Sequence, residues 1–193
     1  MAVRKEISNT EGIYFITFTC CKWLPLFELV NAYDEVYKQF DILKSEGHYI
    51  IGYVIMPNHI HALIAFKETG KSINRRIGTL KRFLAYQLVQ RLKKADKTDI
   101  LQILKSAVNN TDRLRGKLHA VFEPSFDCKE CYGEKMINQK LDYMHDNPCK
   151  GVWQLVSSPV DYIHSSARFY TTGEQGIYTV TNYMLLEDID LTR

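Results

Sequence analysis

His59 and His61 stand two residues apart in the apolar run His59-Ile-His-Ala-Leu-Ile-Ala-Phe66. In an extended strand alternate side chains share a face, so the two imidazoles point one way and Ile60 the other, into a core. Two neutral imidazoles converging on one point are half of a site for a divalent cation. A third ligand has to arrive from elsewhere in the chain, leaving open positions for water or a phosphate oxygen. Without it the pair is better read as two partly exposed histidines on a sheet face.

A second group lies near Pro148. Tyr143 and Asn147 are four residues apart in a helical pattern, so they are neighbours on one helix face. Pro148 disfavours helical geometry at Asn147 and leaves its amide free to turn at the helix end. An amide oxygen is a suitable hard ligand beside two imidazoles. A tyrosine one turn earlier would lie next to the same cation. Its phenol, with a pKa of about 10, is a weak nucleophile at neutral pH unless it is activated and held in line with a phosphodiester. Taken singly, Tyr143 also reads as an amphipathic core residue and Asn147 as a helix terminator. Asp142, His145 and Asp146 compete as ligands from the same helix; Asp142 adjoins Tyr143 in sequence and so faces elsewhere, which leaves His145 as the main competitor.

The elements that must position these residues follow from periodicity. Residues 12–19 are β-branched and aromatic and predict a strand. A helical repeat over 30–43 is stopped by Gly47. Residues 48–56 and 59–66 predict two strands joined by the Pro57-Asn58 turn, an antiparallel hairpin. Ser72 caps a long helix to about Lys94 with its apolar stripe on Ile73, Ile77, Leu80, Leu84, Leu88 and Leu92. A short helix is expected over 99–108, a loop over 109–116, a fourth strand over 120–126 weakened by Pro124, a helix from Glu134 to about Asn147, and a short helix around 165–170. Strand, helix, hairpin, helix and strand in that order predict an α+β fold, a ferredoxin-like or RNA-recognition-motif antiparallel sheet with its helices on one face. That fold hosts many activities.

At 193 residues and 46% hydrophobic content the chain is expected to form one domain, with a core over about 12–170 and a tail, 171–193, of no assignable role. No apolar run is long enough for a membrane span. The start turns polar within six residues, so a cytoplasmic protein is expected. Five cysteines, an odd number, favour reduced thiols. Cys128-Lys-Glu-Cys131 is half of a zinc or redox motif, or a loop with two free thiols. The net charge of +3 is small, but between residues 67 and 97 ten basic residues are opposed only by Glu68 and Asp96. Such a stripe can neutralise backbone phosphates, or simply be a solvated helix face.

Gly52-Tyr-Val-Ile-Met-Pro-Asn-His-Ile-His-Ala-Leu-Ile64 resembles the HUH segment of single-tyrosine transposases of the IS200-like family. Leu141-Asp-Tyr-Met-His-Asp-Asn-Pro-Cys-Lys-Gly151 resembles the catalytic-tyrosine helix of their REP-associated branch, with its Y-x-x-x-N-P pattern. Pro159-Val-Asp-Tyr-Ile-His-Ser-Ser-Ala-Arg-Phe-Tyr170 is similar to the segment just downstream. The three matches come in family order and span most of residues 12–170. The resemblance implies a catalytic C-terminal helix and Mg²⁺ or Mn²⁺ bound by His59, His61 and Asn147. Tyr143 would attack a phosphodiester of single-stranded DNA near a hairpin to give a 5′-phosphotyrosine link and a free 3′-hydroxyl, and a later attack by a 3′-hydroxyl would rejoin the strand. Many members act as dimers, so a homodimer is one expected assembly, with the tyrosine acting on its own chain or on its partner. Arg75, Arg76, Lys81 and Arg82 on the basic helix are the physical candidates for backbone contacts. The alternative is a domesticated homologue that binds DNA hairpins without cutting. Two further rivals are a non-covalent phosphoester hydrolase, and an RNA-binding module that stacks bases on Tyr14 and Phe18.

Overall fold

A computed structural model describes residues 10–124, 126–186 and 189–192; the polar start at 1–6 and Glu187-Asp188 lie outside them. Strand β1 (Gly12–Thr19) leads through a short helix α1 (Leu26–Leu29) to α2 (Tyr33–Ser45). The hairpin β2 (Tyr49–Ile55) and β3 (His59–Phe66) follows, then α3 (Ile73–Lys94), α4 (Thr98–Ser106) and α5 (Asn110–Leu114). Strand β4 (Asp127–Glu130), α6 (Gly133–His145) and α7 (Ala167–Thr172) complete the order. The sheet runs β2-β3-β1-β4 with every pairing antiparallel, the ferredoxin-like order expected.

Alternation divides the sheet into two faces. Tyr14, Ile16, Phe18, Ile60, Ala62 and Ile64 pack with Val36 and Phe40 of α2 and with the α3 leucines. Phe15, Ile51, Val54, Leu63 and Ala65 face the other way and pack with Ile137, Leu141 and Met144 of α6. Tyr14 and Phe18 are therefore buried beneath α2 and α3, which removes them as base-stacking platforms.

A bulge between Ile50 and Gly52 keeps both faces of β2 apolar: Ile50 and Tyr53 go to the first core, Ile51 and Val54 to the second. It also turns Gly52 toward α6. A Cβ there would come within 2.6 Å of Leu141 Cδ2 and of Met144 Cε.

The fourth strand is displaced from its expected position. Thr17 faces Asp127, so unbroken pairing would set Cys20 against Pro124; Cys20 bridges Phe122 instead. Proline offers no N–H to the ladder, so pairing slips there and resumes in β4. Cys128 is thus a strand residue and not a loop thiol. Helix α2 starts at Tyr33 and not at Val30, after Asn31 adopts φ +44° and turns the chain. The expected loop over 109–116 contains α5, capped by the Asn109 side chain accepting from the Asp112 N–H at 2.8 Å.

The end of the chain is part of the body. Ile55 N–H donates to His164, Ser166 N–H to Tyr53 and Thr181 N–H to Ile50, so downstream segments cover the open edge of β2. Tyr183 and Leu186 extend the second core. No described helix is long and apolar enough to cross a membrane.

Overpacking at the point where α6 meets β2 should be costly. Gly52→Val is expected to lower unfolding free energy by about 1–3 kcal/mol, measured by urea denaturation; an unchanged midpoint would show that α6 is free to lift.

Candidate functional site

His59 and His61 lie at the start of β3, on the face covered by α6, with exposures of 7% and 4%. Their rings stand 4.8 Å apart, nearly perpendicular. Each has its Nδ1 engaged. His59 Nδ1 is 2.7 Å from Asn58 Oδ1, while the Asn58 amide nitrogen donates to the Trp23 carbonyl at 3.2 Å. That leaves Asn58 Oδ1 as the acceptor, so His59 carries its proton on Nδ1 and keeps the Nε2 lone pair. His61 Nδ1 is 2.6 Å from Thr17 Oγ1 across the β1–β3 pair, a hydroxyl that can accept from it as Asn58 does from His59.

Burial pushes His59 down to about 4, with the Asn147 amide opposing the shift. Burial pushes His61 down to about 3, helped by His59 and by the Lys140 ammonium. Both imidazoles are therefore neutral at physiological pH, the form that can ligate a cation.

Helix α6 brings the second group over this face. The Tyr143 ring lies 5.4 Å from that of His61 and 6.0 Å from Phe15, and the residue is 54% exposed. Phe15 in turn stacks on His61 at 5.4 Å. Asn147 opens a 3₁₀ turn, Asn147–Cys149, immediately after α6. Its amide nitrogen donates to the Tyr143 carbonyl at 2.8 Å, and its side chain is in hydrogen-bonding reach of His59. The two sequence-distant groups thus meet within one chain. Two neutral imidazoles and an amide oxygen are a donor set that suits a divalent cation with open positions. Among the described residues no three His, Cys, Asp or Glu side chains come together, so an Asn is the third donor on hand.

The competing ligands are engaged elsewhere. His145 points away, its Nε2 2.8 Å from Ser166 Oγ, which also accepts from the Tyr53 N–H. Asp146 pairs with Lys150 and Asp142 is exposed. Cys128 and Cys131 are free thiols.

Four contributors were not singled out from sequence. Thr17 and Asn58 orient the imidazoles, Trp23 packs its ring 6.0 Å from His59, and Lys140 sets its ammonium 4.9 Å from the Phe15 ring and 5.8 Å from that of Tyr143. Lys140 is one turn before Tyr143 and was findable by helical spacing; Thr17 required the strand register.

The basic helix separates into three kinds of residue. Arg76 is buried and ion-paired with Glu46, so it does not present to a nucleic acid as expected. It sits three residues after Ile73 and four before Leu80, on the apolar stripe itself. Lys81 donates to the Glu123 carbonyl at 3.0 Å, with its ammonium 5.6–5.9 Å from the rings of Phe18, Phe122 and Phe126. Arg75 and Arg82 are exposed. Arg82 and Lys81 line a groove of about 1310 Å³ between α3 and the stretch 112–128, together with Phe83, Tyr86, Lys93 and Arg115.

No family model and no curated protein matches this chain. Among solved structures it is similar to a REP-associated tyrosine transposase bound to a REP hairpin, at 16% identity over 100% of this chain and 98% of that one, with a TM-score of 0.62. That likeness establishes the fold along both chains. A Deinococcus radiodurans protein described as a transposase matches at 16% identity over 74% of this chain and 96% of that one, with a TM-score of 0.40, too low to bear on the fold.

His48, His59, His61 and His145 are all buried and held neutral, near 4, 4, 3 and 4, chiefly by desolvation. Unfolding returns each toward 6.5, so between about pH 6.5 and 4 the unfolded chain binds more protons than the folded one. Stability should be flat above pH 7 and fall with acidification, by up to about 1.4 kcal/mol per pH unit for each histidine. Urea midpoints at pH 7.5 and 5.5 in EDTA check this; an equal or higher midpoint at pH 5.5 contradicts it.

Proposed function

We propose that this protein is a metal-dependent DNA transesterase that nicks and rejoins single-stranded DNA near hairpins, using Tyr143 as nucleophile. The observation that carries this reading is the meeting of the Tyr143 ring with His61, and of Asn147 with His59, inside a single chain. The fold shared with a tyrosine transposase that was solved on a DNA hairpin points the same way.

His59, His61 and Asn147 are the residues that would hold Mg²⁺ or Mn²⁺, which when bound polarises a phosphodiester and offsets its charge. The chain's own residues do the rest. Thr17 and Asn58 hold the imidazole rings in one orientation, and Asn58 also sets the His59 tautomer. Helix α6 holds the phenol at the rim of the site, half-exposed, where a phosphate can approach in line. Lys140, beside the same ring, offers a cation to a phosphate oxygen or to the phenolate. In the reaction the phenolic oxygen bonds to phosphorus as the P–O3′ bond breaks. The phenol loses its proton and the departing 3′ oxygen gains one. The product is a 5′-phosphotyrosine with a free 3′-hydroxyl, and the reverse attack by a 3′-hydroxyl restores a continuous strand without a nucleotide cofactor. Arg75 and Arg82 face solvent where they can meet backbone phosphates. Nothing in this reading requires a second subunit to supply the tyrosine, whether or not the protein forms a homodimer.

With Mn²⁺ and a labelled hairpin DNA, a covalent protein–DNA adduct is expected. Tyr143→Phe should abolish it while leaving DNA binding intact, and His59→Ala or His61→Ala should abolish it as well. Thr17→Val should keep the fold but raise the Mn²⁺ concentration needed for half-maximal adduct formation by about 10–100-fold. Hairpin binding with no adduct under any divalent metal would point to a silent binder; a Tyr143→Phe protein that still cuts would point to a hydrolase. Separately, Arg82→Ala should weaken DNA binding for all sequences alike and reduce the salt slope by about 0.7–0.9, read by fluorescence anisotropy across a salt series.

A further inference from the structure

Trp23 is 64% exposed, yet its backbone is not relaxed. Lys22 and Trp23 both adopt the left-handed region, with φ +53° and +58°. Two consecutive non-glycine residues in that region persist only where their surroundings hold them, and such strain gathers at ligand clamps. Here the surroundings are explicit. Lys22 N–H donates to the Glu123 carboxylate at 2.8 Å and Trp23 N–H to the Cys20 carbonyl at 3.0 Å. The Trp23 carbonyl accepts from the Asn58 amide nitrogen, whose other end holds His59 Nδ1. One asparagine therefore fixes a tryptophan and a candidate metal ligand relative to each other. The ring itself stands 6.0 Å from His59, at 64° to it, with most of its surface in solvent.

We infer that Trp23 is a base-stacking platform: it takes the nucleobase adjoining the scissile phosphate and so sets which phosphate comes to the histidine pair. The inference rests on the transesterase reading above. Two exposed rings flank the pair, Trp23 beyond His59 and Tyr143 beyond His61. A phosphate held between them leaves its neighbouring base next to the indole. Stacking is indifferent to base identity because every base has a π-face, so the platform sets register along the strand and not sequence preference. An indole serves better than an aliphatic side chain, since it presents a large rigid face with few rotamers to fix. Trp23 would be a positioning residue, with no part in bond making.

The chain has two tryptophans, so Trp153→Phe leaves Trp23 as the sole reporter. In that background, with Tyr143→Phe to prevent turnover, the probe is a DNA hairpin with single-stranded flanks, selected for binding from a mixed-sequence pool. A single abasic position is then walked along the flanks. Indole fluorescence should be quenched by the intact DNA, and one abasic position, next to the cleavage site, should relieve the quench. In otherwise wild-type protein, Trp23→Ala should lower adduct yield per unit time about tenfold, a typical worth for one stacked base, and spread cleavage over neighbouring phosphates; Trp23→Phe should restore most of both. Anisotropy of labelled DNA reports binding independently. DNA that binds without quenching Trp23, or a quench indifferent to every abasic position, overturns the platform. Normal rate and a single cleavage position in Trp23→Ala overturn it too, and leave the transesterase reading standing. A position-specific quench without any covalent adduct sustains the platform and defeats the transesterase reading. Failure of the pool to yield any binder defeats both.

Discussion

Helix α6 can lie against the second face of the sheet because Gly52 has no side chain. The bulge in β2 turns that residue toward Leu141 and Met144, and the space a Cβ would fill is already taken by their ends. Tyr143 and Asn147 follow Leu141 and Met144 on the same helix and its terminal turn, so the depth at which α6 settles decides whether the phenol and amide meet the histidines. His145 acts in the same direction. Its bond to Ser166, and that of Ser166 to Tyr53, tie the last turn of α6 to β2 and to the segment covering the sheet edge. A histidine that competes on paper as a ligand is in fact part of the clasp.

Covering a sheet face that carries two histidines has an electrostatic consequence. A buried imidazole keeps its neutral form at a pH where an exposed one would be partly charged. Burial by α6 and Phe15 therefore keeps His59 and His61 in the form a cation would require, and their contacts with Thr17 and Asn58 fix the ring orientations. For the transesterase proposed, the same cover would be damaging if it were complete, because its phosphate would have to enter. Trp23 and Tyr143, both more than half exposed, stand at the opening and not over it.

The pairing of residues in the candidate site and the order of the elements could be read from sequence because both depend on local period. His59 and His61 alternate with Ile60 in a strand, and Tyr143 and Asn147 are separated by one helical turn; neither statement needs tertiary structure. Strand β3 and helix α3 fall within the residues that periodicity marks for them. What periodicity could not reach was pairing. The position of β4 depends on a slip beside Pro124, which a propensity reading turns into a strand placed too early. Thr17 became a partner of His61 only through the β1–β3 register. The closing segment looked like a tail because its apolar patch, set between Gly173 and Gly176 and the acidic Glu187-Asp188, shows no strand or helix period, yet Val180, Tyr183 and Leu186 are enough to seal the β2 edge and the end of the second core.

Charge is the quantity that changes most between the linear and folded views. Ten basic residues in one segment look like a continuous polyanion surface, but several are consumed internally. Arg76 balances Glu46 inside the fold, and Arg91 bonds Asp34 and Glu35 at 2.6 Å each, tying α3 to α2. Lys81 gives its ammonium to the Glu123 carbonyl and lies beside three phenylalanine rings. What remains for a phosphate backbone is a shorter set, with Arg82, Lys93 and Arg115 around an aromatic-lined groove. The groove is linked to the histidine site through Glu123, which lines it and accepts from Lys22 beside Trp23. For the single-stranded substrate proposed, a groove offering a few cations and several rings is better suited than a uniformly charged face. Such a groove would meet an unpaired strand through its bases as well as its phosphates.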